Sequence, residues 1–505
     1  MIDQEISRSK VGIDTNVFLR IVLGMMLLYF AVAGGHLYTA DDWSRYYAAR
    51  NFTISLTPEV PDKPHVYGVP GRDGRRVSHF PPGLSIMSMP LLLSGRLIPS
   101  SNEIRSEMYE RVFLSFTNQI IVAVLIGLMY LTIRRTGIHR RYAIFLSVGM
   151  GVGSLAFPYA KHYWAEPLQA ALLLGALLSV DRITMHGTTE WRVALMSSCL
   201  SMAFLVKYES VVPILIIVGY TIFTHPPTSR YQITGFIIPF LLAGAVSISY
   251  NAWRFGSPLD FGYSGLVLPT GDQSADEIID SDLSSFSFIR RLVLLLFSPG
   301  QGLIVFVPVV ALAIFATTIK GFPVFIRLGF CCGFALLAFY VALDRSSTWC
   351  WGPRYLFPSM VLWWPALGLI RSKYGKRLVT LGLGFGLVIA LLGVLVNFHD
   401  GIEEIREHRN FTGWEWVREV QRNPELSPIV WHARLLPSYV ERSIRPEPGE
   451  GAIQYAPVKW RHKRLDILWV SLVVGGYHWI LLLIPVFALG AACMTLRSAV
   501  HISEV

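Results

Sequence analysis

The chain has 505 residues, of which 53% are hydrophobic and only 15% charged, and its mean hydropathy is +0.47. A soluble domain does not sustain so many fully buried helices around one core, so the composition excludes a soluble protein and indicates an integral membrane protein. The formal net charge of +10 would suggest a nucleic-acid partner in a soluble chain. Here it is assigned to basic residues that anchor cytoplasmic loops, and no nucleic acid is expected.

The first apolar run covers 17–35 and is flanked by Arg8, Lys10 and Arg20. Ala31-Val32-Ala33 has the small-residue pattern of a signal-peptidase site. The positive flank serves equally as a cytoplasmic anchor, and the helix is read as retained. Further apolar stretches lie at 111–133, 142–160, 167–185, 193–206, 210–224, 232–252, 301–319, 322–343, 355–370, 378–397 and 467–495. They predict an all-α integral membrane bundle of about 12 transmembrane helices. The segment 84–97 is short and contains Pro90. Were it to cross, Arg134, Arg135, Arg140 and Arg141 would lie outside the cytoplasm, against the positive-inside rule, so it is placed in the interface or as a re-entrant piece. Arg182, Arg192, Arg230, Lys320, the run Arg371 to Arg377 and Arg497 then all fall inside, with both termini cytoplasmic.

That assignment puts the loop 36–83, the turn 161–166, the loops 253–300 and 344–354, and the segment 398–466 on the outer side. The chain divides into a transmembrane module (1–397), an extracytoplasmic polar segment (398–466), and a last transmembrane helix with a cytoplasmic tail (467–505). Its five cysteines show neither metal-ligand spacing nor a disulfide framework.

The outer loops carry the candidate chemistry. Asp41 and Asp42 follow the first helix directly, in Asp-Asp-Trp-Ser-Arg-Tyr-Tyr-Ala-Ala. Two carboxylates at a membrane surface suit a general base, although either also suits a helix N-cap. Residues 66–80 read as a hairpin turning at Arg-Asp-Gly, and lead to His79-Phe80-Pro81-Pro82-Gly83. In Lys161-His162-Tyr163-Trp164-Ala165-Glu166-Pro167, Glu166 opens a helix, where a carboxylate also favours the positive end of the dipole. Lys207 either binds a phosphate, pairs with Glu209, or reaches the headgroups. Arg290 and Arg291 stand on the outer side against the charge rule, ahead of Leu296-Phe297-Ser298-Pro299-Gly300-Gln301-Gly302-Leu303. They suit either a bound lipid phosphate or headgroup contact. Trp349-Cys350-Trp351-Gly352-Pro353-Arg354-Tyr355-Leu356 closes the set, with a permanent cation at an outer helix end and two tryptophans that suit a sugar platform or an aromatic belt.

In element order these motifs resemble the GT-C superfamily of polytopic glycosyltransferases, in particular its bacterial protein mannosyltransferase and aminoarabinose transferase type. The Asp41-Asp42 stretch resembles the family's first outer loop, and the Pro-Gly element and short helix after it fit the same layout. Leu-x-Ser-Pro-x-x-Gly-Leu and Trp-x-x-Gly-Pro-Arg-Tyr-Leu are the most specific matches; nothing in 398–466 matches. The resemblance implies a GT-C-like bundle whose extracytoplasmic first loop carries short interfacial helices. It implies sugar transfer from a polyprenyl-phosphate-linked donor to an extracytoplasmic glycan, lipid or protein acceptor, with inversion, by a protein in contact with membrane lipids.

The roles it implies are Asp41 as base, with Asp42 as fallback, and Glu166 orienting the acceptor. Arg354, with Arg290, Arg291 and Lys161, would hold the phosphate, and His79, Tyr163, Trp349 and Trp351 would line the cavity. As to cofactors, the resemblance leaves a divalent cation open: some members need one and others do not, and Asp41, Asp42 and Glu166 would supply oxygens to it. The alternatives are a non-catalytic subunit of a membrane complex, or a lipid carrier or transporter. Carriers place charges mid-helix, whereas the charged candidates here gather at outer helix ends.

Overall fold

The computed structural model describes residues 2–63, 65–262, 288–316, 323–343, 350–411, 415–445, 463–474 and 477–501. Among these the chain is all-α apart from one small hairpin, Val69–Pro70 paired antiparallel with Arg76–Val77, at the turn read from the sequence. Among the described residues seven helices are long and apolar enough to cross a membrane, which makes this a multi-pass membrane protein. They are Asp14–Ala31, Glu103–Arg134, Glu166–His186, Arg230–Phe255, Val324–Ala342, Lys373–Leu395 and Trp479–His501.

The other expected crossings take shorter or broken forms. Within 301–319, Pro308 divides the described residues into Leu303–Phe306 and Val309–Phe315. Residues 355–370 form the helix Phe357–Trp363 between two 3₁₀ turns, with Pro358 and Pro365 at the starts of successive pieces. The span expected at 467–495 is divided between Leu468–Val474 and the helical run starting at Trp479. In the other direction, the helix expected at 111 begins at Glu103. The segment 84–97 forms Gly83–Arg96, 14 residues and about 21 Å long, below the hydrocarbon thickness.

The two ends of the bundle differ in chemistry. At one end Arg134 pairs with Asp14 (3.3 Å), Arg135 with Asp181 (3.5 Å), and Arg371 donates to the carbonyl of Thr136. At the other lie Glu166, Arg354 and the first loop. The helix Ala40–Ile54 is fixed there by a buried Glu110, which accepts from Tyr46 Oη (3.1 Å), Arg50 Nε (3.0 Å) and Arg96 Nε (2.7 Å). One carboxylate thus ties together the helices starting at Ala40, Gly83 and Glu103.

The polar segment after residue 398 packs over this end. It forms Phe398–His408, Glu415–Arg422 and Pro428–Ile444. Ser427 donates to the carbonyl of Pro299, and Gly300 lies against the backbone of Val420, so the Ser-Pro-Gly turn is covered by this segment.

Candidate functional site

The helix Ala40–Ile54 starts on a capping box. Thr39 Oγ1 accepts from the Asp42 N–H, and Asp42 Oδ2 accepts from the N–H groups of Thr39 (3.1 Å) and Tyr38 (3.0 Å). Asp42 is fully buried; its Oδ2 is spent on this cap, and its Oδ1 has no hydrogen-bond partner among the described residues. Burial, reinforced by neighbouring Asp41 and opposed by the Tyr38 amide, Arg354 and Arg45, pushes its carboxyl up to about 6. Asp41, one position earlier, turns the other way, and its side chain is 29% exposed.

Glu166 opens the helix Glu166–His186, with Pro167 at its first turn. The turn before it is held by Asn118, whose amide donates to the carbonyls of His162 (2.6 Å) and Trp164 (2.8 Å). Arg354 is aimed by the Gly-Pro before it. Gly352 has φ +70°, and a Cβ there would meet Leu155 at 2.9 Å, so only glycine fits this turn without strain. The guanidinium lies over the Trp164 ring, 4.6 Å from its centroid.

The structure brings these groups into contact. Arg354 donates from Nη1 to Asp41 Oδ2 (2.9 Å) and from Nε to Glu166 Oε1 (2.9 Å). The same Glu166 oxygen accepts from Lys207 Nζ (3.0 Å), whose other carboxylate neighbour is Glu209 at 4.0 Å. Lys207 also faces the ring of Tyr355 at 4.6 Å. Glu166, Arg354 and Lys207 are buried; among the described residues Glu166 Oε2 has no hydrogen-bond partner and Arg354 Nη2 makes no hydrogen bond. Burial pushes the Asp41 carboxyl up, but attraction to Arg354, Arg45 and His79 outweighs it and holds Asp41 below the ordinary value.

Two participants were not read from the sequence. Arg45, four residues after Asp41 and so on the same helix face, is buried against the Phe80 ring (3.6 Å). Its Nη1 has no hydrogen-bond partner, and among the described residues no carboxylate lies within 4 Å of it, yet its charge acts on Asp41, Asp42 and Glu166. The Asp41-to-Arg45 spacing was the available signal. The second is Asp466, which no local pattern marks. It accepts from Lys161 Nζ (2.8 Å), His36 Nε2 (2.8 Å) and Tyr38 Oη (2.7 Å), tying the segment before the last helices to the first loop.

Several expected site residues are placed elsewhere. Lys161 is not free for a phosphate: its ammonium is buried and spends its donors on Asp466 Oδ2 and the carbonyls of Val394 and Asp466. Tyr163 is core, bonded to Ser88 Oγ (2.5 Å), and Trp351 is core, packed on Phe306 and His432. Arg290 and Arg291 lie on the helix Phe288–Phe297 and are not among the partners of Asp41 or Glu166. His79 stays close, buried beside Phe80 and acting on Asp41. Trp349 lies outside the described residues. Nor do the carboxylates fit a metal. Arg354 bridges Asp41 to Glu166, Asp42 is committed to its cap, and no His/Cys/Asp/Glu group of metal-binding kind occurs among the described residues.

No family model matches this chain, and a search of curated proteins finds no match. Among solved structures it is similar to ArnT from Cupriavidus metallidurans bound to undecaprenyl phosphate, at 13% identity and TM-score 0.48, over 96% of this chain and 76% of that one. The apo state of the same protein gives 12% identity and TM-score 0.48, over 95% and 76%. The archaeal oligosaccharyltransferase AglB from Archaeoglobus fulgidus, in complex with an inhibitory peptide and a dolichol-phosphate, gives 13% and 0.41, over 82% and 60%.

Proposed function

We propose that this chain is a membrane glycosyltransferase of GT-C type. It moves a sugar from a polyprenyl-phosphate donor to an acceptor hydroxyl or amine on the extracytoplasmic face of the inner membrane, with inversion. The observation that carries this reading is the contact of Asp41, Glu166, Arg354 and Lys207, from four separate parts of the chain, with cationic donors left over. An acid beside buried cations at a membrane-facing helix end is what phosphate departure coupled to proton removal requires. The motif resemblance supplies the reaction class.

Each residue then has a task. Arg354, anchored on Glu166 through Nε, offers Nη2 to the donor phosphate, and Arg45 and Lys207 add charge. Glu166 holds the two cations in place. The acceptor oxygen or nitrogen attacks the anomeric carbon as the bond from that carbon to the phosphate oxygen breaks. Asp41 takes the acceptor proton, and the cations stabilise the departing polyprenyl phosphate. Paired with Arg354, Asp41 is a weak base. A phosphate that draws Nη1 away lets the carboxylate recover its ordinary basicity, so the base strengthens as the donor arrives. The helices Phe398–His408, Glu415–Arg422 and Pro428–Ile444 cover this end.

The test is release of free polyprenyl phosphate by the purified protein, given a panel of polyprenyl-phosphate-linked pentoses and hexoses together with a cell-envelope extract as the source of acceptor. Wild type is expected to turn over a member of the panel, and Asp41→Asn to lose about 10²- to 10⁴-fold in rate while folding normally. Asp41→Asn turning over at the wild-type rate would remove Asp41 as the base.

A further inference from the structure

We infer that a second, non-catalytic site at the opposite end of the bundle holds the phosphate headgroup of an anionic phospholipid. Arg371, Lys373, Lys376 and Arg377, with Thr380 and Leu381, line an open pocket of about 610 Å³. It sits where the helix Lys373–Leu395 begins, capped by Ser372 Oγ accepting from the Gly375 N–H. Arg371 donates to the Thr136 carbonyl (3.1 Å), and Lys376 lies 5.0 Å from the Tyr142 ring centroid. Among the described residues none of the four cations has a carboxylate within 4 Å. Four like charges thus crowd the positive end of a helix dipole, a concentration of positive potential that an anion relieves.

A need for cytoplasmic positive charge alone accounts for basic residues on this side. It does not account for a concave cluster of them, nor for what continues from it. Tyr374, Leu378, Leu381, Phe385 and Val388 are all exposed and recur at spacings of three and four residues, forming one stripe along the same helix. From Tyr374 to Val388 the stripe runs about 21 Å, longer than one leaflet's share of the roughly 30 Å hydrocarbon core. Leu381 belongs to both pocket and stripe. A headgroup in the pocket therefore has an apolar track leading directly from it into the bilayer. This continuity selects a phospholipid over a soluble phosphate. Basic pockets beside membrane helices on the cytoplasmic side suit anionic headgroups on general electrostatic grounds.

The test is native mass spectrometry of the full-length protein in non-ionic detergent, titrated with phosphatidylglycerol, phosphatidylcholine or inorganic phosphate. Wild type is expected to hold phosphatidylglycerol and not phosphatidylcholine. The triple variant Lys373→Gln, Lys376→Gln, Arg377→Gln is expected to bind on the order of 100-fold more weakly, about fivefold per charge. A control triple, Arg141→Gln, Arg230→Gln, Arg497→Gln, removes the same charge elsewhere and is expected to stay within about threefold of wild type. If the pocket triple is not recovered folded, Arg377→Gln alone should weaken binding about fivefold. Equal loss in the two triples, equal binding of phosphatidylcholine, or full displacement of the lipid by millimolar phosphate would each overturn the inference.

Discussion

Replacing Glu166 with Gln removes the charge shared by two of the buried cations of the candidate site, Arg354 and Lys207. Glu166 Oε1 accepts from Arg354 Nε at 2.9 Å and Lys207 Nζ at 3.0 Å, and its side chain is fully buried. Gln keeps the size and one acceptor oxygen but leaves the cations undercompensated. Breaking a buried ion pair from one side costs about 3–5 kcal/mol. Arg354 retains Asp41 and Lys207 retains Glu209 at 4.0 Å, so the lower end, about 3 kcal/mol, is expected. The assay is equilibrium unfolding of the detergent-purified protein, with Lys207→Met and the pair Glu166→Gln/Lys207→Met completing a double-mutant cycle. The paired variant carries one buried cation fewer, and should recover about half of the loss. An unchanged midpoint for Glu166→Gln, or strictly additive losses in the cycle, would show that Glu166 is not the hub of the cluster.

Three further outcomes follow from the geometry. Because burial raises the Asp42 carboxyl to about 6, ionising it destabilises the folded state relative to an unfolded carboxyl near 3.9. Asp42→Asn should therefore match wild type below about pH 4 and gain on it as pH rises, reaching about 3 kcal/mol above pH 6; unfolding series at fixed pH read this, and a pH-independent difference contradicts it. Arg354→Lys keeps the charge but cannot reach Asp41 and Glu166 in fork geometry, so transfer should fall by about 10- to 100-fold with little change in expression, measured as turnover of the substrate found for wild type. Gly352→Ala forces a Cβ onto Leu155 at φ +70° and should displace Arg354, costing about 1–3 kcal/mol in unfolding measurements and lowering transfer with it.

The meeting of Asp41, Glu166 and Arg354 was legible in the sequence because topology does part of the work: the charge rule assigns all three to helix ends on one side of the bundle, and the structure brings them into contact. The hairpin at Arg-Asp-Gly was equally legible, since it rests on a local backbone requirement. What local patterns do not carry is direction around a helix end. Lys161, Tyr163 and Trp351 belong to the same sequence motifs as Glu166 and Arg354 but are buried in the core, and Lys161 is claimed by Asp466, some 300 residues later. Asp41 and Asp42 are adjacent, and only the capping box separates an accessible acid from a buried structural one. Arg45 carries one local signal, its spacing of four from Asp41. The spans at 301–319 and 355–370 were read as whole crossings because a hydropathy window averages over Pro308, Pro358 and Pro365, where the backbone breaks.

The claim that the outer cluster receives a lipid-linked phosphate is tested most directly by binding, without turnover. The purified protein would be titrated with undecaprenyl phosphate and with undecaprenol, which differ only in the phosphate, and each complex quantified by native mass spectrometry. Wild type should bind the phosphate lipid and discriminate against the alcohol by at least about 10-fold, with Arg354→Gln and Arg45→Gln each abolishing that discrimination while remaining folded. Equal binding of the two lipids by wild type, or discrimination that survives both substitutions, would contradict the assignment of this cluster to a polyprenyl phosphate.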